Sequence, residues 1–211
     1  MKIDDESRSA RKDREIIQAA AAAFVSKGYD GTSMEEIATK AGVSKQTIYK
    51  HFTDKEMLFC VVVQSTATQA NDVIESVTTL LSETKYMEGG LQQLARRLMA
   101  VLMDGELLKL RRLIIANADR MPQLGRSWYE SGFERMLASV ASCFENLTSR
   151  GLMRTSDPYL AASHFFGMLL WIPMNEAMFT GNSNPRSKAE LERHADASVD
   201  AFLVVYGGQS K

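Results

Sequence analysis

A chain of 211 residues with 45% hydrophobic and 24% charged residues has ordinary globular composition, enough for one long domain or two small ones. The 25 Lys+Arg against 26 Asp+Glu leave a net charge of −1, which excludes a whole-molecule polyanion binder and makes any nucleic-acid site a local one. Cys60 and Cys143 are too few for a disulfide scaffold and too far apart for a CxxC motif. The charged start MKIDDESRSARKDRE and the short longest apolar run, Phe165 to Met174, argue against a signal peptide and a membrane span, so the expected setting is a reducing cytoplasm.

No segment alternates apolar and polar residues long enough for a strand, so the expected fold is all-α. Ile16, Ala20 and Phe24 mark the inner face of a first helix that ends at Lys27-Gly28. Ser33 and Glu36 have the spacing of a capping box, which starts a second helix near Met34, and Gly42 stops it. Ser44 caps a two-turn third helix from Lys45 to about His51, too short to persist unless Ile48 and Phe52 dock it. Asp54 caps a fourth helix that runs to about Leu81.

Long helices follow. Leu91 to Met103 and Glu106 to Asn117 form a pair broken at Asp104-Gly105. Met121-Pro122 opens a helix whose seam, Phe133, Leu137, Val140, Phe144 and Leu147, runs uninterrupted to Arg150-Gly151. Asp157-Pro158 begins a helix through Ala177 that is apolar on nearly every side, which reads as burial on all faces, with Pro173 expected to bend it. The last helix, about Ser187 to Tyr206, carries Leu191, Ala195, Val199, Phe202 and Tyr206 on one stripe. These last two helices are the expected surface of a two-fold homodimer.

Ser33 to Phe52 supplies the parts of a helix-turn-helix: a helix ended by glycine, a short turn and a capped second helix that enters the DNA major groove. Ala38 and Gly42 let the helices cross closely, Val43 and Ile48 fill the wedge, and Gln46, Thr47 and Lys50 face outward. Gln pairs with adenine, Thr reaches a base edge or a thymine methyl, and Lys reaches guanine or phosphate. Tyr49, His51 and Lys55 suit phosphate contacts. Between Ser7 and Lys55 nine Lys+Arg face six Asp+Glu, a local positive excess, and Arg8, Arg11 and Lys12 can form a basic arm.

The segment TSMEEIATKAGVSKQTIYKHFTDKEMLF resembles the DNA-binding segment of the TetR family of bacterial transcriptional regulators. The resemblance implies phosphate contacts from Ser33, Tyr49, His51 and Lys55 and base contacts from Lys45, Gln46 and Thr47, with Ser44 at the cap of the same helix. More distantly, RLIIANADRMPQLGRSWYESGFERMLASVASCFE resembles the effector domain of a branch that includes efflux-pump repressors. The expected organisation is therefore an N-terminal three-helix helix-turn-helix bundle, residues 1–56, and a C-terminal helical ligand-binding and dimerisation domain, residues 57–211. The expected partners are a palindromic double-stranded DNA operator, a second copy of the chain and a small apolar or amphipathic effector that releases the operator.

Candidate effector contacts are Asn117, Arg120, Trp128, Tyr129, Phe133, His164, Met168 and Trp171, where aromatic and methionine side chains lie near isolated polar groups; core packing is the competing account of the same residues. No GxSxG, HExxH, GxGxxG or phosphate loop proposes a reaction, and His164 and His194 have no ligand-spaced partner, so no enzyme activity, metal or cofactor is assigned. Cys60 and Cys143 read as buried, inert thiols. Two alternatives stay open: a DNA-binding regulator with no small-molecule effector, and a helical enzyme with a coincidental helix-turn-helix.

Overall fold

The computed structural model describes residues 2–84, 86–182 and 186–208, with side chains from Ser9 onward; the Arg8 side chain of the expected basic arm lies outside the described residues. Among these residues the chain is helical, with one isolated antiparallel bridge between Met153 and Gly207. The helices are α1 (Lys2–Lys27), α2 (Met34–Lys40), α3 (Lys45–His51), α4 (Lys55–Glu83), α5 (Met87–Leu102), α6 (Gly105–Asn117), α7 (Pro122–Trp128), α8 (Arg135–Ser149), α9 (Pro158–Thr180) and α10 (Lys188–Tyr206). A π-helical segment, Tyr129–Glu134, joins α7 to α8. Among the described residues no helix is long and apolar enough to cross a membrane.

The chain divides into two compact units, residues 1–66 with 109–128, and residues 67–108 with 129–211. The first therefore extends beyond the 1–56 segment expected from sequence. The reason is its core: Ile16, Ala20 and Phe24 of α1, Ile37 of α2, Ile48 of α3 and Leu58, Phe59 and Val62 of α4 are closed by Leu110 and Ile114 of α6, Met121, and Leu124 of α7. Each large apolar side chain buried this way contributes about 1.5 to 3 kcal/mol, and four come from far along the chain.

In the second unit α8 packs on α9, and α10 packs on α5 and α9. Phe144, Phe165 and Phe202 meet pairwise with ring centroids 5.0 to 5.6 Å apart. Across α5 and α10, Arg96 donates twice to Asp196 at 2.7 Å, a bidentate pair that pulls the aspartate below its ordinary carboxylate range.

Local signals place the helix ends well. Ser44 accepts from Thr47 N at 3.1 Å, Asp54 from Met57 N at 2.8 Å and Asp157 from Leu160 N at 2.9 Å. Gly42 lies at φ 66°, and the Val43 and Gly42 amides donate to the Ala38 and Thr39 carbonyls, the hydrogen-bond pattern that closes a helix on a left-handed residue. The box expected at Ser33 forms only in part: Ser33 accepts from Glu36 N at 3.2 Å, but the Glu36 carboxylate pairs with Lys27 Nζ at 2.8 Å. A full reciprocal box opens α10 instead, between Ser187 and Glu190.

Three expectations are corrected. The helix opening at Pro122 is interrupted by the π segment, where Asn71 Nδ2 of α4 donates to the Ser131 carbonyl at 2.6 Å and Gly132 is buried close to Ala67. Helix α9 is not buried on all faces: Leu160, Met168, Trp171, Ile172 and Phe179 are exposed along one side. The stripe Ala195, Val199 and Phe202 is fully buried within its own subunit, so Phe202 belongs to the core rather than to a surface seam.

Pro173 lies inside α9 without ending it. Its missing amide orphans the Leu169 carbonyl one turn earlier. His194 of α10 donates Nε2–H to that carbonyl at 3.0 Å, and Ser198, one turn on, donates to the Met168 carbonyl at 3.3 Å. His194→Phe should therefore cost about 1 to 3 kcal/mol by leaving the carbonyl unpaired. In a Pro173→Ala background, where the substitution restores a backbone amide, most of that cost should vanish. A double-mutant cycle by urea unfolding at fixed protein concentration checks this, and additive effects would contradict it.

Candidate nucleic-acid interface

Helix α3 presents two different faces. Ile48 is fully buried in the core of the first unit, whereas Lys45, Gln46, Tyr49 and Lys50 are exposed. One side of the two-turn helix thus holds it in place and leaves the other with an amide, a phenol and two ammonium groups, groups suited to base edges and phosphates. Thr47 is partly buried, and its hydroxyl bonds to Ser44 Oγ at 2.8 Å. Ser44 and Ser33 are exposed at the starts of α3 and α2 with their hydroxyls engaged as caps.

Lys45 pairs with Glu35 of α2 and lies 5.9 Å from the Tyr49 ring centroid. The pair raises the lysine above its ordinary value and lowers the glutamate, through the hydrogen bond between them. Both side chains are exposed, so the pair contributes little to stability. His51 Nδ1 lies 2.6 Å from Asp13 Oδ1 on α1. Asp13 thereby fixes the ring orientation and leaves Nε2 outside that bond. Nothing local in the sequence signals this pair, which joins residues 38 apart.

Lys55 is tied inward. Its ammonium donates to the Tyr29 carbonyl at 2.8 Å and the Thr32 carbonyl at 3.0 Å, and lies 4.3 Å from the Tyr29 ring centroid. Arg120, expected at an effector, meets the same loop: it donates to Asp30 at 3.0 Å and stands 5.2 Å from the Tyr29 ring. Tyr29 is thus held by two cations beside Phe24 and Phe59, and burial, reinforced by Glu56, pushes its phenol above the ordinary value. Thr32, buried, donates to the Gly28 carbonyl at 2.8 Å. The loop before α2 is thus tied at several points to α1, α4 and Arg120.

The remaining expected effector residues fall into two groups. Asn117 and Trp128 belong, like Arg120, to the first unit; Asn117 donates to the Leu113 carbonyl at 2.8 Å and accepts from Arg120 at 2.9 Å. In the second unit Tyr129 and Phe133 follow one another toward Phe166, with centroids 5.9 and 5.7 Å apart. His164 Nδ1 lies 2.6 Å from the Tyr206 hydroxyl, and Met168 and Trp171 are exposed on α9. A cleft of about 290 Å³ in the second unit is lined instead by residues including Arg96, Met99, Met103, Arg186 and Leu191.

Comparison with known proteins decides the family. Residues 16–61 match the model of the bacterial regulatory proteins of the tetR family, and residues 89–208 match the C-terminal domain of AefR-like transcriptional repressors. The chain belongs to the TetR family. A crystal structure of a regulator from Mesorhizobium loti, assigned to the TetR family, is 84% identical with a TM-score of 0.92, covering 95% of this chain and 98% of that one. The flavonoid-responsive regulator FrrA is 25% identical with a TM-score of 0.74, over 95% of this chain and all of that one. The regulator YhgD of Bacillus subtilis is 30% identical over 159 residues, 70% of this chain and 74% of that protein. Another curated relative, 44% identical over 50 residues, is matched over only 23% of its length. As a TetR-family member the chain is a DNA-binding transcriptional regulator, with α2 and α3 as its helix-turn-helix.

The geometry separates Lys55, which is tied into this TetR-family bundle, from Gln46, which is exposed on it. Lys55→Met should lower the unfolding free energy by about 1 to 3 kcal/mol, since two carbonyls lose a charged donor. Gln46→Ala should stay within about 0.5 kcal/mol of the parent, as an exposed side chain with no structural partner to lose. Denaturant unfolding of both variants checks the contrast, and equal stability would remove Lys55 from its structural role.

Proposed function

We propose that this regulator is a repressor that binds a palindromic operator as a homodimer through α9 and α10 and leaves it when a small apolar or amphipathic effector binds. The observation that carries the reading is the α3 face, exposed around Gln46 while Ile48 anchors the helix. Lys45, Gln46 and Thr47 read bases, and Ser33, Tyr49, Lys50 and His51 contact phosphates, with Ser44 capping the recognition helix and Lys55 reaching a phosphate with its remaining donor. The match to AefR-like repressors over residues 89–208 supports repression.

The exposed apolar side of α9 supports the dimer. Leu160, Met168, Trp171, Ile172 and Phe179 recur at helical spacing, and Val204 and Val205 lie exposed at the end of α10. Apolar surface of this extent calls for a partner, and two-fold pairing places two α3 helices on the half-sites of a palindrome. The effector reading is supported by FrrA, named for its response to flavonoids, and by Asn71, whose buried Oδ1 lacks a hydrogen-bond partner beside the π segment. The effector acts by its differential affinity for conformations that fit or miss the two half-sites.

Gel-shift titration with DNA from the region upstream of the chain's own gene tests the proposal. Gln46→Ala should weaken binding to the selected site by about 1 to 3 kcal/mol and relax preference at one base pair per half-site. Trp171→Glu, at an exposed position, should leave the helix content intact, give a monomer by analytical ultracentrifugation and bind operator at least about tenfold more weakly. Uniform loss on all DNA for Gln46→Ala, or a Trp171→Glu dimer at micromolar concentration, would overturn the corresponding assignment.

A further inference from the structure

Arg111 on α6 is an anomaly in the first unit. Its Nε is fully buried without a hydrogen-bond partner, and among the described residues its guanidinium takes part in neither a hydrogen bond nor an ion pair. Its one polar-type contact is the Trp128 ring, 5.7 Å from Cζ. On the same helix Leu110 and Ile114 are buried in the core of the unit, and Leu113 and Trp128 pack against that core. Burial alone pushes the guanidinium below its ordinary value. The other arginines placed at contacts behave differently, Arg96 meeting Asp196, Arg120 Asp30 and Arg186 Glu176.

A buried charge with no counter-ion destabilises the state that holds it, and an indole face supplies only part of the compensation. The residue as a whole is only partly buried, although its Nε is closed off from solvent, which leaves the outer Nη pair as the fork an anion would take. We propose that Arg111 is the anchor for an organic monocarboxylate with an apolar body, which stacks or packs against Trp128 while its carboxylate takes the guanidinium fork. This rests on the effector reading above and gives that effector its charge.

The chemistry selects the class. A planar carboxylate accepts two parallel N–H bonds from one guanidinium, whereas an alcohol or amide satisfies the donors without neutralising the charge. One carboxylate balances one guanidinium; a phosphate dianion would leave excess negative charge among leucines and a tryptophan. The apolar neighbours give the remainder of the ligand a hydrophobic wall. Arg111 and the α3 anchor Ile48 belong to one unit, and Leu110 and Ile114, on either side of Arg111 in sequence, belong to the same buried cluster as Ile48, which links a ligand at Arg111 to the core that holds α3.

The test uses the whole 211-residue chain and two matched pairs, 1-naphthoate with 1-naphthamide and decanoate with decanamide. At least one carboxylate should raise the melting temperature, quench tryptophan fluorescence and bind about tenfold or more tightly than its amide. Arg111→Met should erase that ratio and, without ligand, melt no lower than the parent, because it removes an uncompensated charge. Arg120→Met, which breaks the pair with Asp30, should melt lower. Arg111→Lys should keep part of the preference, having charge without the fork. Equal binding of carboxylate and amide, absence of binding by all four compounds, or a ligand-free Arg111→Met that melts as low as Arg120→Met would each overturn the proposal. Release of operator by amides as readily as by carboxylates would leave the effector reading standing without Arg111. Binding through Arg111 that leaves operator bound would do the reverse.

Discussion

The recognition helix is two turns long and has no independent stability, so everything it does depends on the burial of Ile48 in a core assembled from distant parts of the chain. Helices α1, α2 and α4 supply most of that core, but Leu110, Ile114, Met121 and Leu124 close it. Around it, Lys55 and Arg120 both meet the loop before α2 at the Tyr29 ring, with Asp30 as the second anchor of Arg120. The DNA-reading bundle is thus not a local three-helix module. Residues 109–128 are as much part of it as α1.

That arrangement shortens the route by which a regulator of this kind can be controlled. A coupling between two sites needs an element with two arrangements that both sites bias. Helix α6 qualifies on position, because its last two-thirds belong to the unit that carries α3 while its start belongs to the other. Helix α4 crosses between the units in the same way, and Arg111 lies on the part of α6 that belongs to the first unit. Leu110 and Ile114 of α6 belong to the same buried cluster as Ile48, so that end of the helix and the anchor of α3 share one core.

Much of this is legible in the sequence where the determining interaction is local. The caps at Ser44, Asp54 and Asp157 span three residues, and the glycine after α2 is specified by its own backbone, so the helix-turn-helix emerges nearly residue by residue. The box at Ser33 forms only by half, because Lys27 from another helix competes for Glu36. The π segment leaves no local mark: Tyr129 to Glu134 fits a continuous helical seam, and what holds it is a side chain on α4, Asn71. Periodicity also cannot tell burial within a subunit from burial against a partner. It therefore marks Phe202, which sits in the aromatic core, and reads α9 as wholly buried, although Trp171 and Phe179 face outward. Lys55 and Arg120 match plausible ligand-facing types, yet their partners lie in the Tyr29 loop, fixed by tertiary contacts that no local pattern records.

Native-state amide hydrogen exchange addresses the shared core most directly. If residues 109–128 complete the DNA-reading bundle, the protected amides of Leu110 to Asn117 and of α7 should open with those of α1 and α4 up to Thr66 as one cooperative unit, and Ile114→Ala should raise exchange in α3 and α1 while leaving α8 to α10 unchanged. Exchange of residues 109–128 in step with α8 to α10, with α1 to α3 indifferent to Ile114→Ala, would contradict the account.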